Sequence, residues 1–449
     1  MTVTRVATDT GGQRAGARRR AARTGVVALL AGAVAAGALA APAQAGDRTP
    51  ATAVDAAVAE KHSRHAATQQ AIEAFVATGT PGATVTATDA HGVWRSAAGI
   101  GNLETGKKRG ANDLFRVASI TKTFVATVLL QMEAEGRLSL DDTVDTWLPG
   151  LIRGNGNDGR KITVRQLLNH TSGIFNYTSD PDYARKYLLE GYLENRYENV
   201  PPEYHIKVAL SHRPDFAPGT GFSYSNTGYV LAGMIIEKVS GRTYEHEVRK
   251  RIIKPLKLRS TSNPGDTVEL PQPSSRAYSK LTQTPDAPAA KIHDVTDIHG
   301  SQGWADGDIT SSAADLNRFY SALLRGKLLS PKQLKAMKTT TTASNGWYGL
   351  GLYKTALSCT TVWGHGGGAA GSLSEATTTE DGRHQIAFNI NGDWAASYDQ
   401  FTAVLEAEYC GKKPGAAKPG AAKAAQDTKA AQRAQDRFGS ARNTLVNRG

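Results

Sequence analysis

Ser119 and Lys122 stand three residues apart where an apolar-periodic segment begins, with Phe124, Val125, Val128, Leu129 and Met132 following at helical spacing. Three residues on a helix are nearly one turn, so the Lys122 amine lies beside the Ser119 hydroxyl on one face. An amine so placed can take the serine proton. The N-terminus of such a helix offers unpaired N–H groups and a positive dipole end, both of which favour the oxyanion that forms when a carbonyl is attacked. Two further strings, Tyr224-Ser225-Asn226 and His365-Gly366-Gly367, follow in order and add a phenol, an amide and an imidazole. Together these groups can carry acyl transfer through an acyl-serine. Each string alone has a plainer reading: Ser119 as an N-cap, Tyr224 to Asn226 as a loop entering a helix over 230–239, His365 as part of a bulged strand. Their joint occurrence favours the chemistry.

At these residues the chain resembles the serine penicillin-recognising family, which includes β-lactamases, DD-peptidases and related esterases and amidases. The Tyr-Ser-Asn string and a third motif opening on His resemble the branch of class C β-lactamases and secreted D-alanyl-D-alanine carboxypeptidases, nearest the actinomycete carboxypeptidase type. Phe115-Arg116-Val117-Ala118, Leu167-Leu168-Asn169-His170-Thr171-Ser172-Gly173, Ala217-Pro218-Gly219 and Tyr348-Gly349-Leu350-Gly351-Leu352 agree, and the resemblance spans 71–410. It implies that Ser119 is acylated, that Lys122 is its base or shares that role with Tyr224, and that Tyr224 and His365 move the proton to the leaving group. It also implies that Asn226 orients the substrate amide, that Gly366, Gly367 and Gly368 line the substrate, and that the N–H groups of Ser119 and Gly368 form the oxyanion hole.

The leading activity so implied is D-alanyl-D-alanine carboxypeptidase on peptidoglycan stem peptides or other small acyl substrates, with β-lactams as acylating inhibitors. An esterase, a D-amino-acid amidase or aminopeptidase, and a β-lactamase are alternatives on the same fold; a penicillin-binding or wall-binding protein without turnover is the alternative outside catalysis. The chain departs from the carboxypeptidase type where that type holds a terminal carboxylate. Hydroxyl residues there follow the histidine and the next glycine, and an arginine precedes the first cysteine by six. Here those positions are Gly366, Gly368 and Tyr353, with Lys354 adjacent. Tyr353 and Lys354 are the substrate-binding candidates there: Lys354 can substitute for the arginine, whereas strand alternation suggests that Tyr353 points into the site and Lys354 away.

The elements that must position these groups are legible in outline. A helical stretch near 51–78 precedes strands at Gly82 to Asp89 and Gly92 to Gly99, and a β-like stretch, Leu114 to Ala118, leads into Ser119. Strands recur at Thr360 to Gly364, Ser372 to Thr379 and Gln385 to Ile390, closed by a helix from Trp394 to Tyr409. Strands at both ends with helices between predict an α/β fold: an antiparallel sheet flanked by helices, split in sequence, with an all-helical inserted subdomain. The site then lies between the subdomains.

The ends read differently. Arg18-Arg19-Arg20 and Arg23, an apolar run over 25–40 and Ala43-Gln44-Ala45 form a signal peptide over 1–45 rather than a stable transmembrane anchor, which implies a secreted, extracellular protein with a catalytic domain over 46–410. Of the net charge of +12, 1–45 contributes +5 and 411–449 contributes +7, leaving 38 basic and 38 acidic side chains between. A neutral domain gives no nucleic-acid footprint. The tail 411–449, Ala-, Lys- and Gln-rich, reads as disordered and could adhere to an anionic cell wall. Two cysteines, Cys359 and Cys410, in an exported chain favour a disulfide, and neither they nor the eleven histidines show metal-ligand spacing, so no metal or other cofactor is expected.

Overall fold

A computed structural model of the chain describes residues 64–282 and 290–413. The segment 1–45 read as a signal peptide, all but three residues of the tail and the first part of the helical stretch over 51–78 lie outside the described residues. Helix α1 (Ala66–Ala77) leads to strands β1 (Gly82–Asp89) and β2 (Gly92–Gly99), followed by helices α2 (Thr121–Ala134), α3 (Asn226–Ser240) and α4 (Ala313–Leu324). Strands β3 (Tyr353–Ala356), β4 (Thr361–Ala369), β5 (Ser372–Thr379) and β6 (Gln385–Ile390) follow, and helix α5 (Tyr398–Cys410) closes the fold. The six strands form one antiparallel sheet in the order β2-β1-β6-β5-β4-β3. The N-terminal hairpin joins the C-terminal meander through β1 and β6, with Ala83 opposite Ile390 and Thr88 opposite Gln385. The sheet is therefore split in sequence, and among the described residues the segment between its halves carries helices, loops and three two-residue ladders.

Alternation along the strands builds two faces. Val85, Phe388 and Ile390 meet α1 and α5 in a core with Ile72, Phe75, Phe401 and Leu405, where Phe75 and Phe401 contact edge to face at 5.1 Å. On the other face Ala376 and Ala387 are register partners, and these small side chains let α4 settle on the sheet through Phe319 and Leu316. That core continues into α2 and α3.

Helix α2 is buried over most of its circumference, as a central helix must be. Its hydroxyls are satisfied inside: Thr123 Oγ1 donates to the Gly351 carbonyl at 2.6 Å, and Thr127 Oγ1 donates to the Thr123 carbonyl at 2.7 Å. Among the described residues no helix is long and apolar enough to cross a membrane.

In the C-terminal part of the fold two boundaries differ from the sequence reading, and α3 begins four residues before the predicted 230. Strand β4 runs five residues past Gly364, so the whole third motif lies within a strand. The last helix begins at Tyr398 rather than Trp394, because Ser397 and Gln400 form a capping box that fixes its start.

Cys359 and Cys410 are bonded, with Cα atoms 5.7 Å apart, and tie the β3–β4 turn to the end of α5. A loop of this length is worth about 4 kcal/mol in the chain-entropy model. Unreduced protein is expected to show no alkylatable thiol, and reduction to lower the unfolding temperature by several degrees. Two reactive thiols in native protein would refute the bridge.

Candidate active site

The chain turns sharply into the site. The two-residue strand Phe115–Arg116 is followed by Ala118 at φ 49° and a single 3₁₀ turn over Ala118–Ile120, after which α2 runs regularly from Thr121. The left-handed alanine costs about 1 kcal/mol and sets Ser119 on the inner end of the helix, facing a cleft of about 280 Å³. Helix α2 therefore starts two residues later than the sequence spacing predicts, while Ser119 and Lys122 still share a face.

Lys122 is fully buried and its ammonium nitrogen has three close oxygen partners: Ser119 Oγ at 3.0 Å, Asn226 Oδ1 at 2.7 Å and the Asp306 carbonyl at 2.8 Å. Two of these, an amide oxygen and a peptide oxygen, only accept. They fix two of the three nitrogen positions as N–H, and the third faces Ser119. In the ammonium form that position donates to Oγ; in the neutral amine it is a lone pair aimed at the serine proton. Burial lowers the lysine pKa to about 8, against a smaller opposing effect of Asp306. Asp306 is itself buried, accepts the Tyr177 hydroxyl at 2.8 Å and is pushed up to about 6 by desolvation, with Lys122 opposing.

Asn226, the first residue of α3, donates through Nδ2 to Thr178 Oγ1 at 3.1 Å, so its amide orientation is fixed from both ends. In this structure its oxygen serves the lysine. Tyr224 is buried beside them, its ring centroid 5.0 Å from Lys122 Nζ.

Strand β4 forms the opposite wall. Ala369 and Ser372 close a two-residue turn, so hydrogen-bonded pairs alternate back along the ladder and Gly368 falls at a non-bonded position opposite Leu373. Its N–H points away from β5. On that side β3 reaches only to the Tyr353–Gly364 pair, so the Gly368 N–H opens on the cleft that Ser119 also lines. Gly367 faces the nucleophile turn: a Cβ there would lie 2.0 Å from the Val117 carbonyl oxygen and 3.0 Å from the Ser119 nitrogen.

His365 is buried behind this wall. Nδ1 lies 2.6 Å from the Gly366 carbonyl and Nε2 lies 2.8 Å from Tyr348 Oη. A carbonyl accepts only, so the proton sits on Nδ1 and Nε2 accepts from Tyr348, whose phenol burial keeps protonated. Tyr353 is buried with its hydroxyl donating to Glu375 Oε1 at 2.8 Å, and Lys354 is exposed. Neither lines the cleft around Ser119.

The structure thus brings Ser119, Lys122, Asn226 and Gly368 to one place, with Tyr224 and His365 behind them. Sequence reasoning missed three contributors. The Asp306 carbonyl carries no residue-type signal. Tyr348 and His170 lie in strings that the sequence already marked, without a role assigned. Among the described residues no cluster of His, Cys, Asp and Glu could hold a metal ion.

Comparisons with known proteins agree with this geometry. The chain is 28% identical over 323 residues to penicillin-binding protein 4* of Bacillus subtilis, covering 69% of this chain and 67% of that protein. A D-stereospecific amidohydrolase from a Streptomyces species superposes with a TM-score of 0.72 at 53% identity, over 78% of this chain and 99% of that one. The D-amino acid amidase of Ochrobactrum anthropi SV3, in complex with L-phenylalanine amide, superposes with a TM-score of 0.65 at 27% identity, over 77% and 98%. The sequence pattern of the beta-lactamase family matches residues 68–405, which include every group just described. With its split antiparallel sheet and its serine and lysine on one helical turn, the chain belongs to the beta-lactamase family, on the serine acyl hydrolase fold.

Proposed function

We propose that the chain is a serine amidohydrolase acting on amides or esters of D-amino acids, in preference to the D-alanyl-D-alanine carboxypeptidase activity that the sequence resemblance implies. Neutral Lys122 takes the Ser119 proton as Oγ attacks the carbonyl carbon. The oxygen that becomes negative is held by the N–H groups of Ser119 and Gly368. Tyr224 gives its proton to the departing nitrogen or oxygen and is refilled from the Lys122 ammonium, so the C–N or C–O bond breaks and an acyl-serine remains. Water, activated by the same groups, returns the serine. Asn226 keeps the lysine nitrogen aimed throughout. If 1–45 is a signal peptide, this chemistry takes place outside the cell.

One observation carries the choice against a free acid. Where a carboxypeptidase needs a cation or several donors for the terminal carboxylate, Gly366 and Gly368 have no side chain. The Tyr353 hydroxyl is given to Glu375, a buried acid paired in register with Gly366. A substrate carboxylate brought to this wall finds neither a side-chain cation nor a free Tyr353 hydroxyl to offset its desolvation. The 53% identity to a D-stereospecific amidohydrolase supports the stereochemistry.

The test compares kcat/KM for D- and L-phenylalanine amide, and for a diacetyl-lysyl-D-alanyl-D-alanine substrate against its C-terminal amide. The D-amide should exceed the L-amide, and the capped peptide the free acid, each by about tenfold or more. A tenfold preference for the free acid, lost in Lys354→Ala, would show that Lys354 supplies the missing cation and would restore the carboxypeptidase reading.

A further inference from the structure

His170 takes no part in the scheme above, yet it occupies the centre of the aromatic cluster behind the site. Its ring lies 4.1 Å from that of Tyr224, 4.7 Å from Tyr348, 5.4 Å from Tyr229 and 5.9 Å from Phe222. It is 1% exposed. Its backbone is in the left-handed region, φ 60°, which histidine adopts more readily than most side chains. Nδ1 accepts the Ser225 N–H at 3.2 Å, while Ser223 N–H donates to the His170 carbonyl at 3.1 Å. The residues before and after Tyr224 are thus both held by His170, and the Tyr224 ring rests on the imidazole.

We propose that His170 is a positioning residue for Tyr224: it clamps the backbone on both sides of the phenol and fixes the ring plane, so that the hydroxyl meets the leaving group. The inference rests on the reading of Tyr224 as the group that protonates the leaving atom. The clamp requires a neutral imidazole, because only an unprotonated Nδ1 can accept the Ser225 N–H. Burial, with Lys122 and His365 as the next contributions, holds the ring well below the ordinary histidine range and keeps that nitrogen unprotonated. The charged and titratable groups facing it are those of Lys122, His365, Tyr224, Tyr229 and Tyr348.

The role separates from simple structural support by its dependence on the leaving group. A departing amine must be protonated, whereas p-nitrophenolate leaves without help. His170→Phe keeps an aromatic ring and removes the acceptor. His170→Asn tolerates the left-handed backbone and keeps an acceptor oxygen near Ser225. Pre-steady-state acylation rates are measured with a D-aminoacyl p-nitroanilide having an added electron-donating ring group and with the matching p-nitrophenyl ester, for wild type, both variants and Tyr224→Phe.

In His170→Phe the amide rate should fall at least tenfold further than the ester rate, with KM nearly unchanged, and His170→Asn should recover most of the amide rate. Equal losses on both substrates, or amide acylation within twofold of wild type, would overturn the proposal. If His170→Phe does not fold, the same ratio in His170→Asn and in His170→Ser decides: Asn near wild type with Ser depressed on the amide supports the clamp, and both alike overturns it. Should Tyr224→Phe itself treat both substrates equally, the reading of Tyr224 fails. Leaving-group dependence in Tyr224→Phe but in neither His170 variant confines the failure to His170.

Discussion

Ser119→Ala is expected to abolish covalent labelling by esters, amides and β-lactams, seen by intact mass, and to lower turnover by about three or more powers of ten. Ser119 Oγ lies 3.0 Å from the Lys122 nitrogen, and Ser119 lines the cleft together with Gly368. Lys122→Ala should cost nearly as much, since groups that act as one proton-transfer unit do not contribute additively. The pH profile follows from the same geometry. With the lysine pKa lowered to about 8, the ammonium form dominates below that value and donates to the Ser119 oxygen instead of accepting from it. Acylation should therefore rise with pH, gaining about tenfold per unit up to about 8 and levelling above it. Label retained in Ser119→Ala would remove the serine from the reaction. A profile flat from pH 6 to 9 would show that the lysine is not the titrating base.

The parts of this site that sequence reveals are those carried by residue type at fixed local spacing. Ser119 and Lys122 need only a helical repeat to be brought together, and the pairing of Cys359 with Cys410 follows from an even cysteine count in a chain read as exported. The split sheet follows from period-two patterns at both ends, since β1 and β6 each alternate between a face covered by helices α1 and α5 and one covered by α4. What stays hidden depends on register or on main chain. The Asp306 carbonyl that takes one lysine N–H is a peptide oxygen, identical in every residue. The bond from Tyr353 to Glu375 exists because β4 and β5 pair Gly366 with Glu375, a register no local pattern specifies. Alternation predicts that Tyr353 turns toward the site, whereas the structure buries it off the cleft with its hydroxyl on an acid that no local pattern indicates. Likewise the left-handed Ala118 has no signature of its own, nor has the contact that Gly367 makes with the residues on either side of it, Val117 and Ser119.

That contact yields the second large effect. Gly367→Ala should lower acylation by about two or more powers of ten, the range for losing one oxyanion donor or misplacing the reacting groups by about an ångström. The added Cβ would stand 2.0 Å from the Val117 oxygen, 3.0 Å from the Val117 carbonyl carbon and 3.0 Å from the Ser119 nitrogen. All three are backbone atoms, so no side-chain rotation relieves the overlap; either β4 or the 3₁₀ turn must move. Whichever moves carries an oxyanion donor with it, Gly368 N–H on the strand or Ser119 N–H on the turn. The Lys122 contacts lie on the other side of Ser119, to Asn226 and Asp306, and should survive. The variant should thus bind substrate with little change in KM yet lose affinity for an alkyl boronic acid, whose serine adduct places an oxygen between the two N–H groups. Thermal unfolding separates this from global damage: a folded Gly367→Ala protein that acylates at the wild-type rate would mean that β4 does not abut the nucleophile turn, and the oxyanion hole would have to be sought elsewhere.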